Sequence, residues 1–381
     1  MKSIYLDHAA STPVHPEVAQ TMVEVMTGTH GNASSVHSFG RAAKRIVSNA
    51  RDSIAARLGC HPNELVFTAG GTESDNMALF GTAEALQEQG RHIITSQIEH
   101  HAVLHACKAL ESRGYEVTYL PVDSTGRVNP DDVQAAIRPD TILISIMFGN
   151  NEVGTLQPIT EIGTIAREHG IVFHTDAVQA LGAVPIHCSE LPVDLISFSS
   201  HKINGPQGIG ALYVRQGTKL EPLLHGGLQE RKRRAGTENL AGIAGFGKAV
   251  ELATDQLEAR QAQLDGLRRL MIETLEQEAS AGAFVINTPL SHSLPHILNM
   301  SFPGVTSETM LMNLDMESIA AASGSACTSG SLEISHVLEA MKLPENVLHS
   351  AIRFSFGMGN TREEIERTAQ KIATILKRVR K

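Results

Sequence analysis

Hydrophobic positions recur in two rhythms along the chain. Short apolar or alternating runs, bounded by Gly, Pro, Asn and Asp, predict strands at 64–68, 92–95, 116–120, 141–146, 171–176, 193–198 and 210–214. Stretches of helical period lie between most of them, at 73–87, 102–112 and 159–169. This alternation predicts a mostly parallel, seven-stranded sheet covered by helices. A charged, Ala/Leu-rich stretch from Asn239 to about Ala279 predicts one long helix. Beyond it the texture changes to strand 296–302, helix 307–315, a Ser/Gly-rich loop at 323–331, strand 351–355 and a terminal helix from Arg362. The expectation is an α/β protein with a large domain over 15–258. A smaller α+β domain would be built from 1–14 and 259–381, with the boundary inside the long helix.

Candidate chemistry gathers at predicted strand ends, where open α/β sheets bind ligands. Ser199-Ser200-His201-Lys202 follows one strand and precedes the turn Asn204-Gly205-Pro206-Gln207-Gly208. A lysine there can form a Schiff base with an aldehyde, and pyridoxal 5'-phosphate (PLP) is the usual one. Asp176 ends another strand. It can cap the following helix or hold a pyridine nitrogen in its protonated form, and position alone favours neither. Gln179, three residues on, could reach the ring's phenolic oxygen. Ala69-Gly70-Gly71-Thr72 joins a strand to a helix. In isolation it reads as a turn capped by Thr72; beside a Schiff-base lysine it reads better as a phosphate cradle.

Other segments extend this picture. His101, at a helix start, suits an imidazole stacked on a flat cofactor and placed for proton transfer. Its i, i+4 partner His105 raises a metal site, but no further ligands are visible, so no metal is expected. Arg353 lies inside the alternating strand Ala351-Ile352-Arg353-Phe354-Ser355, where a charge must be paired. A substrate carboxylate or an internal ion pair would serve. Asn151, also past a strand end, is a second contact for ring and substrate. Cys327 sits among small residues in Ser323-Gly324-Ser325-Ala326-Cys327-Thr328-Ser329-Gly330, which suits a thiol that attacks and then delivers. The near P-loop Gly242–Ala249 lacks the metal-binding hydroxyl and a preceding strand. The basic C-terminus complements a helix dipole.

Composition narrows the class. Lys plus Arg number 32 against 41 Asp plus Glu, a net charge of −9 that argues against a nucleic-acid surface. The four cysteines, Cys60, Cys107, Cys188 and Cys327, form no C-x-x-C pair, which speaks against a disulfide framework or zinc knuckle. With no signal-like start and no membrane-length apolar run, a cytoplasmic protein is expected.

Taken together, these segments resemble the cysteine desulfurases of the aminotransferase-like PLP fold (fold type I). The likeness runs through Tyr5-Leu6-Asp7-His8-Ala9-Ala10, Gly31-Asn32-Ala33-Ser34-Ser35, the Gly-Gly-Thr-Glu turn, Glu99-His100-His101, His174-Thr175-Asp176-Ala177-Val178-Gln179, Ser199–Lys202, Arg234-Ala235-Gly236-Thr237-Glu238-Asn239 and Gly324-Ser325-Ala326-Cys327. The last is similar to the NifS/IscS-like group with a long mobile cysteine loop. The resemblance implies PLP on Lys202, and phosphate contacts from Gly71, Thr72, Ser199 and His201. It further implies a homodimer in which Thr237 reaches the neighbouring subunit's phosphate. L-cysteine would yield L-alanine and a persulfide on Cys327, with Arg353 and Asn151 holding the carboxylate. The sulfur acceptor would be an iron–sulfur scaffold or a tRNA-thiolating protein, with Cys327 a transient iron–sulfur ligand at most. A selenocysteine lyase, or another PLP lyase or aminotransferase, is the alternative. Ala33 stands where Pro is expected, and the 230–234 run is more basic than usual.

Overall fold

The computed structural model describes residues 3–324 and 334–380. In chain order the elements are β1 (Ile4–Tyr5), α1 (Pro16–Gly28), α2 (Ser38–Leu58), β2 (Leu65–Thr68), α3 (Gly71–Ala85), β3 (His92–Ser96), α4 (His101–Glu111), β4 (Glu116–Leu120), α5 (Pro130–Ala136), β5 (Thr141–Ser145), α6 (Ile159–Glu168), β6 (Val172–Asp176), β7 (Leu195–Ser199) and β8 (Gly210–Val214). There follow α7 (Leu240–Asp255), α8 (Leu257–Glu278), β9 (Val285–Ile286), β10 (Ile297–Ser301), α9 (Ser307–Met316), β11 (Ile319–Ala320), α10 (His336–Ala340), α11 (Glu345–Leu348), β12 (Ala351–Ser355) and α12 (Arg362–Val379).

Seven strands form the main sheet in the order β2-β8-β7-β6-β5-β3-β4. All pairings are parallel except the two made by β8. Strands β2, β3, β5, β7 and β8 are buried at every position. Burial on both faces explains why they read as continuous apolar runs rather than clean alternations. Helices α2 and α7 pack together and share the largest core with β2, β5, β6 and β7. Helix α2 starts where the His37 side chain accepts the Gly40 N–H and ends at left-handed Gly59. The run expected as one long helix is two, broken at Gln256 (φ −112°, ψ 17°).

A second antiparallel sheet, β12-β10-β9, packs with α8 and α12 around a separate core. Helix α12 begins with a capping box between Thr361 and Glu364. The N-terminal strand β1 pairs with β11, and Ile4 and Leu6 enter this second core. Main-chain and side-chain bonds from 7–12 then run to Ser355, His201 and Lys202. The N-terminal segment thus ties the second sheet to the lysine segment.

Candidate active site

The carboxyl ends of β2, β5, β6 and β7 surround a cavity of about 210 Å³, lined among others by Gly71, Thr72, His100, Asn151, Asp176, Gln179, Ser199, His201, Lys202 and Arg353. Sequence-predicted residues far apart in the chain are thereby brought together. Lys202 ends a short 3-10 turn directly after β7. Its Nζ donates to the Ala9 and Ala10 carbonyls at 2.5 and 2.8 Å. The N-terminal segment therefore holds the amine over the cavity.

At one end of the cavity helix α3 begins. Its N-cap, Gly70 (φ 148°), has no side chain to cap the first N–H groups. A Cβ on Gly71 would come within 2.7 Å of Val178 Cγ2. Only glycine permits this close approach, and the open helix end favours an anion. Thr72, Ser199 and His201 line both this end and an adjoining open cleft. Burial, reinforced by the Lys202 charge, pushes His201 down to about 4.

At the other end Asp176 closes β6. Its Oδ1 accepts the Val178 N–H at 2.9 Å, so it caps the turn and lines the cavity at once. Burial pushes its carboxyl up to about 6, against the Val178 bond and the nearby Lys202 charge. Asp75, from the buried face of α3, lies beside it. Burial first, and Asp176 second, push Asp75 well above the usual carboxylate range. Its Oδ1 has no hydrogen-bond partner and faces His174 Nε2 at 3.6 Å. His174 is bonded to Ser145 and Ser197 and is pushed by burial to about 3, so it stays neutral. Sequence reasoning missed Asp75. Its signal was spacing, since Asp75, Ala78, Leu79 and Thr82 share one buried helical face.

His101 does not take the place expected of it. It occupies the first turn of α4, half-buried, and stacks on His105 and near His336 at ring separations of 5.1 and 5.0 Å. The cavity wall is His100 instead. Helix α4 starts one residue earlier than expected, which makes His100 the N-cap: its Nδ1 accepts the Ala102 N–H. An accepting Nδ1 makes the neutral ring the Nε2–H tautomer. Burial, then the Lys202 charge, push His100 down to about 4.

Arg353 is fully buried on β12. Its Nη2 pairs with Asp7 at 2.9 Å, its Nη1 donates to the Asn151 carbonyl at 2.9 Å, and its Nε has no partner. The internal ion pair is thus present, and the guanidinium also lines the cavity. Gln179 donates to the Ala9 carbonyl and meets His296 through Oε1. Thr237 is exposed and lies outside the cavity wall of its own chain. Cys327 lies outside the described residues. Just before them, Ala322 bridges Arg353; just after, Ser335 donates to Glu152 at 2.5 Å.

The residues present fit PLP. An uncapped glycine-lined helix end suits a phosphate, two buried carboxylates suit a protonated ring nitrogen, and a lysine lies between them. Ligand atoms of Asp75, His100 and Asp176 lie within 4.8 Å of one another, which leaves acceptors for a proton-bearing ring nitrogen at this end. Among the described residues, no helix is long and apolar enough to cross a membrane.

The chain matches the class-V aminotransferase family over residues 4–368. It is 50% identical to the cysteine desulfurase IscS of Methanosarcina thermophila, covering 100% of this chain and 93% of that one. It is 48% identical to the cysteine desulfurase IscS of Dictyoglomus turgidum, covering 100% and 96%. Among solved structures it superposes on a NifS-like protein with TM-score 0.93 at 37% identity, over 99% of this chain and 100% of that one. It also superposes on SspA in complex with cysteine, with TM-score 0.82 at 38% identity, over 93% and 99%. Along its whole length, the chain belongs to the cysteine desulfurase family of PLP-dependent, class-V aminotransferase enzymes.

Proposed function

We propose that the cysteine desulfurase activity of this chain is carried by Lys202, His100, Asp176, Arg353 and Cys327. The observation that carries the reading is the single cavity in which a lysine stands between an uncapped helix N-terminus and a buried carboxylate pair. Bound PLP supplies an electron sink that labilises bonds to the substrate's α-carbon. Gly71, Thr72, Ser199 and His201 bind its phosphate, while Asp176 holds the ring nitrogen protonated. Gln179 and Asn151 orient ring and substrate. Lys202 moves the proton at the substrate Cα. His100, neutral and capped in place, covers the ring and relays protons; we assign it the role the sequence suggested for His101.

The L-cysteine carboxylate is held by Arg353, which lines the cavity beside Asn151. Cys327 thiolate then attacks the substrate sulfur. The C–S bond breaks, an S–S bond forms, and the carbon fragment takes a proton to leave as L-alanine. No external oxidant is needed. Gly324 lies against Glu152, next to Asn151 of the cavity wall. Two residues, Ser325 and Ala326, separate Gly324 from Cys327, so the Cα atoms are about 11 Å apart at most.

We further propose a homodimer in which Thr237 completes the partner's phosphate subsite, and a cytoplasmic setting. The sulfur acceptor is an iron–sulfur scaffold or a tRNA-thiolating protein. The division into 15–258 against 1–14 with 259–381 is supported by the second core, built from 4–6 and 264–376, while Val337, Leu338, Met341 and Ala351 of the smaller unit join the first core. The test is absorbance of the purified protein before and after L-cysteine, with alanine assayed in parallel. The wild type should absorb in the visible, shift on cysteine and form alanine. Lys202→Ala should do none of these. Alanine formation by Lys202→Ala at the wild-type rate would overturn the assignment.

A further inference from the structure

A second cavity, of about 250 Å³, lies behind the lysine segment. Its wall comes from Ile203 and Asn204, from Gln256, Arg260 and Gln263 at the α7–α8 junction, and from the 357–359 turn after β12. Among the described residues no Asp or Glu lines it, whereas Arg260 brings a permanent positive charge. That charge is poorly matched. Arg260 Nη1 donates to the neutral Asn204 Oδ1 at 3.3 Å, and no carboxylate among the described residues pairs with it. Burial pushes the guanidinium below its ordinary value with no acidic group opposing. Burial, and after it the same charge, keep His8 and His296 neutral, so neither imidazole adds an acidic group to pair with Arg260.

Asn204 cannot easily turn away. Its backbone is left-handed (φ 63°), its N–H bonds to Thr12 Oγ1 and its amide donates to the Pro13 carbonyl. The Asn204 oxygen is therefore presented to Arg260 and takes one of the five guanidinium N–H groups. A half-buried guanidinium that lines a cavity with one neutral partner keeps N–H donors for a bound anion.

We propose that this cavity binds a compact oxyanion, a carboxylate or phosphate group, on Arg260, with the Gln256 and Gln263 amides adding donors. The site is separate from the Arg353 cavity. A protein of net charge −9 does not collect anions generally, so saturable binding here reports a local site.

The test is calorimetric titration of the PLP-loaded enzyme, whose phosphate subsite is filled, with inorganic phosphate and separately with acetate at fixed ionic strength. The wild type should bind at least one probe saturably. Tighter phosphate points to a phosphorylated source, and tighter acetate to a carboxylate one. Arg260→Gln should weaken binding about tenfold or more, the loss of one charge-assisted hydrogen bond. Gln263→Glu puts a carboxylate three residues along α8, to pair with Arg260 internally. It should abolish binding without removing the guanidinium, and so serves if Arg260→Gln does not fold. No saturable binding to the wild type, or binding unchanged in a folded variant of either kind, would overturn the proposal.

Discussion

Adding one methyl group at Gly71 should damage the phosphate end of the site and, through Val178, its opposite end. The new Cβ would meet Val178 Cγ2 at 2.7 Å, where ordinary contact begins near 3.4 Å. One of the two must retreat by about 0.7 Å, because repulsion rises steeply at shorter range. Val178 has little freedom, since a β-branched side chain is stiff about χ1. Its N–H also holds Asp176 Oδ1 at 2.9 Å, so its retreat drags the carboxylate meant for the ring nitrogen. Overpacking of this kind costs about 1–3 kcal/mol, or about 5- to 150-fold in PLP affinity if the strain is felt on binding. The assay is titration of cofactor-free protein with PLP, followed by absorbance, for the wild type, Gly71→Ala and Gly71→Ala/Val178→Ala. The double variant removes the clashing methyl and should recover much of the loss, a coupling a cycle would reveal. Unchanged affinity in Gly71→Ala, or no recovery in the double variant, would refute the reasoning.

Two further outcomes follow from the site's histidines and acids. His100→Ala should lower alanine formation by about 10²- to 10⁴-fold, as expected for a proton-transfer group, and His101→Ala should change it by no more than about twofold; steady-state rates on both variants decide between them. Burial pushes Glu99 up to about 8 despite bonds from Ser96 and the Met147 N–H. The folded state therefore binds this proton more tightly than the unfolded chain, and stability should fall as pH rises from about 4.5 to about 8. Glu99→Gln removes that titration while keeping an oxygen acceptor, so thermal melts at stepped pH should show a flatter profile than wild type and a higher Tm at pH 8. A variant profile as steep as the wild type's would contradict the assignment.

The sequence carried the main sheet because most of its strands are short, buried runs set between turn residues, as at 210–214, where the bounds coincide with β8; at 116–120 the bounds coincide with β4, an edge strand in which only Leu120 is buried. It did not carry α1 and α2. The buried side of α2 is largely Gly, Ala and Val, with Arg51 among them, and small residues give a weak periodic signal. The break at Gln256 was hidden for a different reason: neither Gly nor Pro marks it, and helix-forming residues continue on both sides. The His100/His101 exchange turned on one residue of helix start, decided by which imidazole accepts the Ala102 N–H. Arg353 was legible as a buried charge needing a partner. That Asp7 supplies one, from the far end of the chain, was not, because local pattern says nothing about a contact between residues so far apart in sequence.

Sulfur transfer to Cys327 is tested most directly by mass analysis of the cysteine-bearing peptides after a short exposure of the PLP-loaded enzyme to L-cysteine. The prediction is one added sulfur atom on the Cys327 peptide, formed in step with alanine and absent from the Cys60, Cys107 and Cys188 peptides. In Cys327→Ser, cysteine should still shift the absorbance, but alanine should all but vanish. Alanine formed at the wild-type rate without sulfur on Cys327 would contradict the account.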